Sequence, residues 1–176
     1  MNIYKISKYL VVLPTLLSLF FSCIQRNGEV EKLFVQVENL VEQNPDSALT
    51  LLKSIESPED LNANNYANNL LLYIQSKDKA AISIAEDTLI RIPVSYFLQK
   101  KDIPKKALAY FYSGRVNYQQ KNNETALHDF FSAKDYAEKL GNNNLLGLIY
   151  SDLGVLHENE FSFELALNNY EIHIVR

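Results

Sequence analysis

The sequence contains no tryptophan and only one cysteine among its 176 residues. A single thiol excludes an intramolecular disulfide and a cysteine-rich zinc site. Basic residues are outnumbered as well, because 17 Lys and Arg stand against 21 Asp and Glu and leave a formal net charge of −4. A mildly acidic chain without a basic stripe argues against nucleic acid as a partner.

Sequence motifs for catalysis and metal binding are also missing. The three histidines, His128, His157 and His173, form no ligand pattern such as HExxH, and the sequence has no Gly-rich phosphate loop. Scattered Ser and Asp residues stand where they would cap helices. We therefore predict that the protein is not an enzyme and uses neither a cofactor nor a metal.

What the chain does contain is a recurring spacing of small and large apolar residues. In the clearest copy, Gly114 precedes Ala126 by 12 residues, and Phe130 follows Ala126 by four. Small residues at the first two positions would let two antiparallel helices pack closely, while the aromatic ring fills the gap between them. The copies are centred on Ala48, Thr88, Ala126 and Ala166, at intervals of 40, 38 and 40 residues.

Hydrophobic periodicity and capping signals predict helices throughout and no strand. The predicted helices are Glu29–Gln43, 45–56 after the cap Asn44, Asn65–Ser76, Glu86–Lys100, 103–120 after the cap Asp102, 123–140, Asn144–Glu158 and Phe163–Val175. Pro93 lies inside the fourth of them, so we expect either a bend or a helix that begins near Ile92. Gly141 is expected to end the sixth helix in a left-handed conformation.

This spacing resembles the tetratricopeptide repeat (TPR), a helix–turn–helix unit of ~34 residues. The resemblance implies an all-α fold, a TPR-like α-α solenoid of about four antiparallel helix pairs with the last repeat incomplete. Residues 29–102 are predicted to form degenerate TPR-like helix pairs. Residues 103–176 are predicted to form two TPR-type repeats, the last of them truncated.

Residues 1–22 are predicted to be an export signal rather than part of the fold. Lys5 and Lys8 precede the apolar run Tyr9–Phe21, whose 13 residues are too few to span a bilayer. Phe20-Phe21-Ser22-Cys23 resembles a lipobox, which implies cleavage before Cys23 and lipidation of its thiol and amine. Residues 23–28 would then be a lipidated tether. The alternatives are a plain signal peptide or an uncleaved anchor, each with a buried free thiol.

Taken together, the lipobox and the repeats are similar to a family of bacterial TPR lipoproteins. The resemblance, which covers residues 44–176, implies a lipoprotein of the outer membrane that faces the periplasm and binds an unidentified protein or peptide. Because the last predicted helix exposes Ile172, Ile174 and Val175, we expect either a truncated reading frame or a homodimer that covers this edge.

Two other functions remain open at this stage. One is the truncated sensor part of a longer TPR-containing transcriptional regulator, since some related proteins continue into a cytoplasmic DNA-binding part. The other is a glycan-binding outer-membrane lipoprotein, although such proteins use aromatic platforms and this chain lacks tryptophan.

By analogy with the family, the first helix of each pair contributes to a concave face that binds a peptide. The groove positions implied by the resemblance are Leu108, Phe111, Arg115, Tyr118, Gln119, Leu148, Ser151, Val155, Glu158 and Asn159. Arg115 beside Phe111 and Tyr118 would clamp a carboxylate of the partner or stack on one of its aromatic rings. The alternative is that both aromatic residues belong to the inter-helix core and Arg115 is merely solvated.

Overall fold

The computed structural model describes residues 26–159, apart from the side chains of His157 and Asn159. The predicted signal peptide, Cys23 and the predicted last helix Phe163–Val175 lie outside this range, as do Ile172, Ile174 and Val175. Residues 26–159 are helical with short connections and contain no strand, which confirms the all-α class. Among the described helices, none combines the length and hydrophobicity that a membrane span requires.

Helices follow one another with short turns between them. They are α1 (26–40 of the described residues), α2 (Pro45–Lys53), α3 (Ala63–Lys79), α4 (Arg91–Leu98), α5 (Ile103–Gln119), α6 (Asn123–Leu140) and α7 (Asn143–Asn159). From α2 to α7 each helix packs against the next, and α3 also contacts α5, as α5 contacts α7. Contacts between neighbours and next-but-one neighbours are compatible with an α-helical solenoid.

Local capping chemistry sets most of the helix ends. The side chain of Asn44 accepts a hydrogen bond from the backbone N–H of Ser47 (3.2 Å), and Asp102 accepts one from Lys105 (3.0 Å). Gly141 ends α6 with a φ of 62°, the left-handed conformation that the sequence predicts. The third helix is longer than predicted because Asn62 caps it, accepting from the N–H of Asn65 at 2.9 Å.

The fourth helix differs from the predicted range Glu86–Lys100. A 3-10 turn occupies Thr88–Ile90, and α4 begins only at Arg91. Pro93 therefore falls in the first turn, where a helix has no backbone hydrogen bond for its missing N–H to lose, so no bend is needed. The option of a helix that begins near Ile92 is confirmed. Thr88 is exposed in the turn, so the second copy of the small-residue spacing is not a helix contact.

The buried apolar residues form two clusters that meet at α3. One cluster joins α1, α2 and α3 and includes Val37, Ala48 and Leu72. The other includes Ala67 and Leu71 on α3 and continues through α4, α5 and α6 to Leu156 on α7. Because adjacent residues of α3 serve different clusters, this helix is packed on both sides and links the two halves of the described chain.

The contact between α5 and α6 depends on Gly114. A Cβ added at this residue would lie 2.6 Å from two ring carbons of Phe130, and Phe130 is only 1% exposed. Ala126 is fully buried in the same cluster. The small and aromatic residues of the clearest sequence copy therefore pack against each other as predicted.

Candidate functional site

A trough runs along α3 on the side of the molecule formed by alternate helices. It consists of two adjoining cavities of about 280 Å³ and 350 Å³, which share Glu42, Gln75 and Leu108. The lining comes from α1 with the turn that follows it, from α3, from α5, and from α7 with the turn that precedes it. We call these two cavities the trough.

The floor of the trough is apolar, and its lining includes two acidic and two basic side chains. Val41, Leu71 and Leu72 line the smaller cavity, and Phe111, Leu145 and Leu148 line the larger one. Glu42 makes an ion pair with Lys79 at 2.5 Å, which joins the end of α1 to the end of α3. The remaining charged lining residues are Glu38 and Lys105. The lining thus carries equal numbers of acidic and basic side chains around an apolar floor.

Three of the residues that the sequence predicts for a groove line this trough. They are Leu108, Phe111 and Leu148, and Leu148 is 41% exposed. Phe111 belongs at the same time to the core, because its ring contacts those of Tyr112 and Phe130 with centroids 5.1 Å and 6.2 Å away. The core alternative for Phe111 is therefore correct, although the residue also reaches the trough.

Arg115 is engaged by its own chain. Its Nη1 lies 2.5 Å from Asp78 Oδ2 on α3, and its Nε lies 3.4 Å from Asp152 Oδ2 on α7. The guanidinium carbon also stands 5.8 Å from the ring centroid of Phe111. The alternative of a merely solvated Arg115 is wrong. The guanidinium links three alternate helices, and a role in clamping a partner stays a prediction.

Burial raises the pKa of both carboxyl groups beside Arg115. It raises the pKa of Asp152 to about 6, an effect that Arg115 opposes and that Asp78 reinforces. Burial also raises the pKa of Asp78, against the lowering influence of Arg115 and Lys79. Within the described chain Asp152 Oδ2 is buried without a hydrogen bond, since its 3.4 Å contact with Arg115 is longer than an ordinary hydrogen bond.

The other predicted groove residues lie away from the trough. Gln119 Oε1 accepts hydrogen bonds from the N–H of Ile84 (2.9 Å) and from Ser83 Oγ (3.2 Å), and so fastens the loop before α4 to the end of α5. Tyr118 is partly buried against the larger core cluster. On α7, Ser151 and Val155 are partly buried and Glu158 is exposed, while the side chain of Asn159 lies outside the described part.

Sequence reasoning missed the contribution of α3 to the trough. Asn68 and Gln75 line it although they are only 5% and 7% exposed. Lys79 follows at the end of the same helix. The sequence did contain a signal for this face. Asn68 and Gln75 are seven residues apart, and this spacing places both amides on one face of a helix together with Leu71 and Leu72.

Ion pairs between alternate helices recur at one sequence separation. Glu42 and Lys79 are 37 residues apart, as are Asp78 and Arg115. Arg115 and Asp152 are again 37 residues apart. Equivalent side chains of α1, α3, α5 and α7 with their adjoining turns therefore meet in register along the same side of the molecule.

A further cavity of about 530 Å³ lies between α4, α5 and α6. At its wall, Asp129 Oδ2 accepts hydrogen bonds from Ser113 Oγ (2.6 Å) and Asn117 Nδ2 (3.0 Å). These polar groups satisfy one another and join α5 to α6. Within residues 26–159, no three His, Cys, Asp or Glu side chains come together in a group that would hold a metal ion.

Comparison with known proteins gives no relative: no family model matches the chain, and neither the curated proteins nor the solved structures include a significant match.

Proposed function

We propose that the chain is a lipid-anchored, periplasm-facing scaffold of the TPR type, which binds a segment of another protein and catalyses no reaction. The observation that carries this proposal is the trough, two adjoining cavities with an apolar floor and balanced charges. Elongated apolar surfaces formed by stacked helix pairs are the surfaces on which repeat proteins bind their partners.

The register of the ion pairs supports the repeat architecture. In the proposal, α1 with α2, α3 with α4 and α5 with α6 are helix pairs, and α7 begins the next pair. The first helices then face the trough and the second helices form the outer layer. A constant separation of 37 residues between paired charges is what a stack of units of nearly equal length would produce.

Leu148 provides the cleanest test of the trough. It is 41% exposed, so Leu148→Asp should leave folding largely intact while it places a charge on the binding floor. Phe131 is a matched control, because it is 43% exposed on α6 and does not line the trough. Partner proteins would be captured from cell envelopes with the full chain and then identified.

The expected result is that Leu148→Asp loses the partner and Phe131→Asp keeps it. Retention by both variants, or loss with both, would contradict binding in the trough. Arg115→Ala is unsuitable for this purpose, since it would leave Asp78, whose side chain is 5% exposed, without its cation.

The lipid anchor is a separate part of the proposal and is tested separately. Cells that express the chain would be labelled with radioactive palmitate, and Cys23→Ser would serve as the comparison. Label on the unaltered chain and none on the variant is expected, because two or three acyl chains on Cys23 would supply the membrane attachment. Equal labelling of both chains would reject this anchor.

A further inference from the structure

Two amide side chains in the trough lack a hydrogen-bond partner. Asn68 and Gln75 are both more than nine-tenths buried, and both line the smaller cavity. Across the described part of the chain, neither side-chain amide takes part in a hydrogen bond. The polar atoms of both amides still reach the cavity, because the described side-chain atoms that are fully buried without a hydrogen bond are Asn69 Oδ1 and Asp152 Oδ2. A ligand in the trough can therefore form hydrogen bonds with Asn68 and Gln75, and each such bond contributes to its affinity.

On the basis of the scaffold function, we propose that the trough binds a partner segment in an extended conformation, with Asn68 and Gln75 hydrogen-bonded to its main chain. A side-chain amide offers two N–H donors and a carbonyl acceptor. It therefore complements either half of a peptide group, whatever side chain that residue carries.

An extended segment fits these amides better than a helix does. In a helix the main-chain N–H and C=O groups bond to one another along the helix and are unavailable to the trough. In an extended segment each non-proline residue still has both groups free to pair. An extended occupant therefore offers both amides main-chain partners along its whole length, whereas a helix has such free groups only at its two ends.

The spacing of the two amides sets how they meet that segment. Seven residues of α-helix separate Asn68 from Gln75, which is about 10 Å along the axis of α3. A polyproline II chain advances ~3.1 Å per residue and turns once every three residues. Two residues of such a segment that are three positions apart would thus lie about as far apart as the two amides and point their main-chain groups in the same direction. One of them could pair with Asn68 and the other with Gln75.

The residues between the amides define the central side chain of the occupant. Leu71 and Leu72 lie between them on α3, and Val41 and Leu108 line the same cavity. An aliphatic side chain of the bound segment fits against these apolar residues of the smaller cavity. Because the charges around it are balanced, the bound segment needs no net charge of its own.

The test uses variants that remove the amides and keep their shape. Asn68→Leu and Gln75→Met are close in volume to the native residues, and Gln36→Met is a matched control at an exposed residue of α1. A phage library of random seven-residue peptides is panned on the full chain in detergent micelles. The tightest peptide is then synthesised, once as a peptide and once with a single central amide replaced by an ester.

We expect Asn68→Leu and Gln75→Met each to weaken binding about tenfold, which is the loss of one hydrogen bond of ordinary net strength. The ester should weaken binding to a similar degree, and Gln36→Met should have no effect. Neither amide variant should lower the melting temperature, because neither side-chain amide makes a hydrogen bond within the described chain that the substitution would remove. A lowered melting temperature would indicate a structural role and contradict the proposal.

The possible failures are distinguishable from one another. If the peptide is lost with Leu148→Asp but is insensitive to both amide variants and to the ester, the scaffold function stands and the extended mode is wrong. A peptide bound as a helix, or self-association of the chain that Leu148→Asp abolishes, overturns the extended mode as well. If no peptide is enriched, or if none responds to Leu148→Asp, the proposed function fails together with this inference.

Discussion

Gly114→Ala tests the contact that holds α5 against α6. The new Cβ would stand 2.6 Å from Phe130 Cδ1 and Cε1, whereas carbon atoms in ordinary contact are about 3.5–4.0 Å apart. The ring cannot move away freely, since Phe130 is buried and faces the ring of Phe111. Forcing extra volume into such a core costs about 1–3 kcal/mol.

Helix propensity acts in the opposite direction and sets the net effect. Alanine is favoured over glycine within a helix by up to ~1 kcal/mol, so we expect a net destabilisation of about 1–2 kcal/mol. Gly28→Ala is the matched control, because nothing lies within 4 Å of a Cβ at that helical residue. It should be neutral or stabilising by up to ~1 kcal/mol.

Urea unfolding followed by circular dichroism measures both changes. A double variant, Gly114→Ala with Phe130→Leu, separates the steric cost from other effects. Phe130→Leu alone should destabilise because it leaves a void, but in the double variant the added methyl group enters that space. We expect a favourable coupling of about 1 kcal/mol or more between the two sites. Stabilisation by Gly114→Ala, or strict additivity in the double variant, would refute this account of the packing.

Three further predictions concern a cap, an ion pair and a titrating group. Asp102→Ala should lower the free energy of unfolding in urea by about 1 kcal/mol, because it removes the hydrogen bond that Lys105 N–H donates to the cap. Asp135→Ala, on the exposed face of α6, should have no such effect. Equal effects of the two substitutions would exclude capping as the cause. Arg115→Ala should destabilise the fold by about 2–3 kcal/mol, which is less than for a fully buried pair because Arg115 is about one-third exposed. Adding Asp78→Asn to this variant should restore part of the lost stability. If it restores none, the ion pair is not what stabilises the fold here. Since the pKa of Asp152 in the folded state is about 6 and above its usual 3.8, the folded chain holds a proton that the unfolded chain releases, and the stability from this group is lost as pH rises from about 4 to 6. Unfolding of Asp152→Asn should therefore lack that part of the pH slope, and an unchanged slope would show that another group titrates.

Features that depend on nearby residues were predictable from the sequence. Asn44, Asp102 and Gly141 act on backbone groups within a few residues of themselves. Their roles as helix caps can therefore be predicted without knowledge of the tertiary structure. The contact of Gly114 with Phe130 was also predictable, because a short turn brings the two helices together. The beginning of α4 was ambiguous, since either a bend or a late start accommodates Pro93 and only the packing of Ile90 into the core decides.

The candidate site was predicted only in part, because its residues come from distant stretches of the chain. Leu108 and Leu148 were found from the repeat pattern, but the partners of Arg115 lie 37 residues to either side of it. The equal spacing of Asp78, Arg115 and Asp152 is visible in the sequence, yet it has meaning only when the helices stack in register. Asn68 and Gln75 were missed since polar side chains on a buried face do not follow from hydrophobic periodicity.

Photo-crosslinking from within the trough tests the central claim most directly. A benzophenone-bearing amino acid would replace Leu148 on the trough floor or Phe131 on the outer face, and intact cells would be irradiated. We predict a discrete adduct with a partner protein from position 148 and none from position 131. Adducts from position 131 alone, or the same adducts from both positions, would contradict partner binding in the trough.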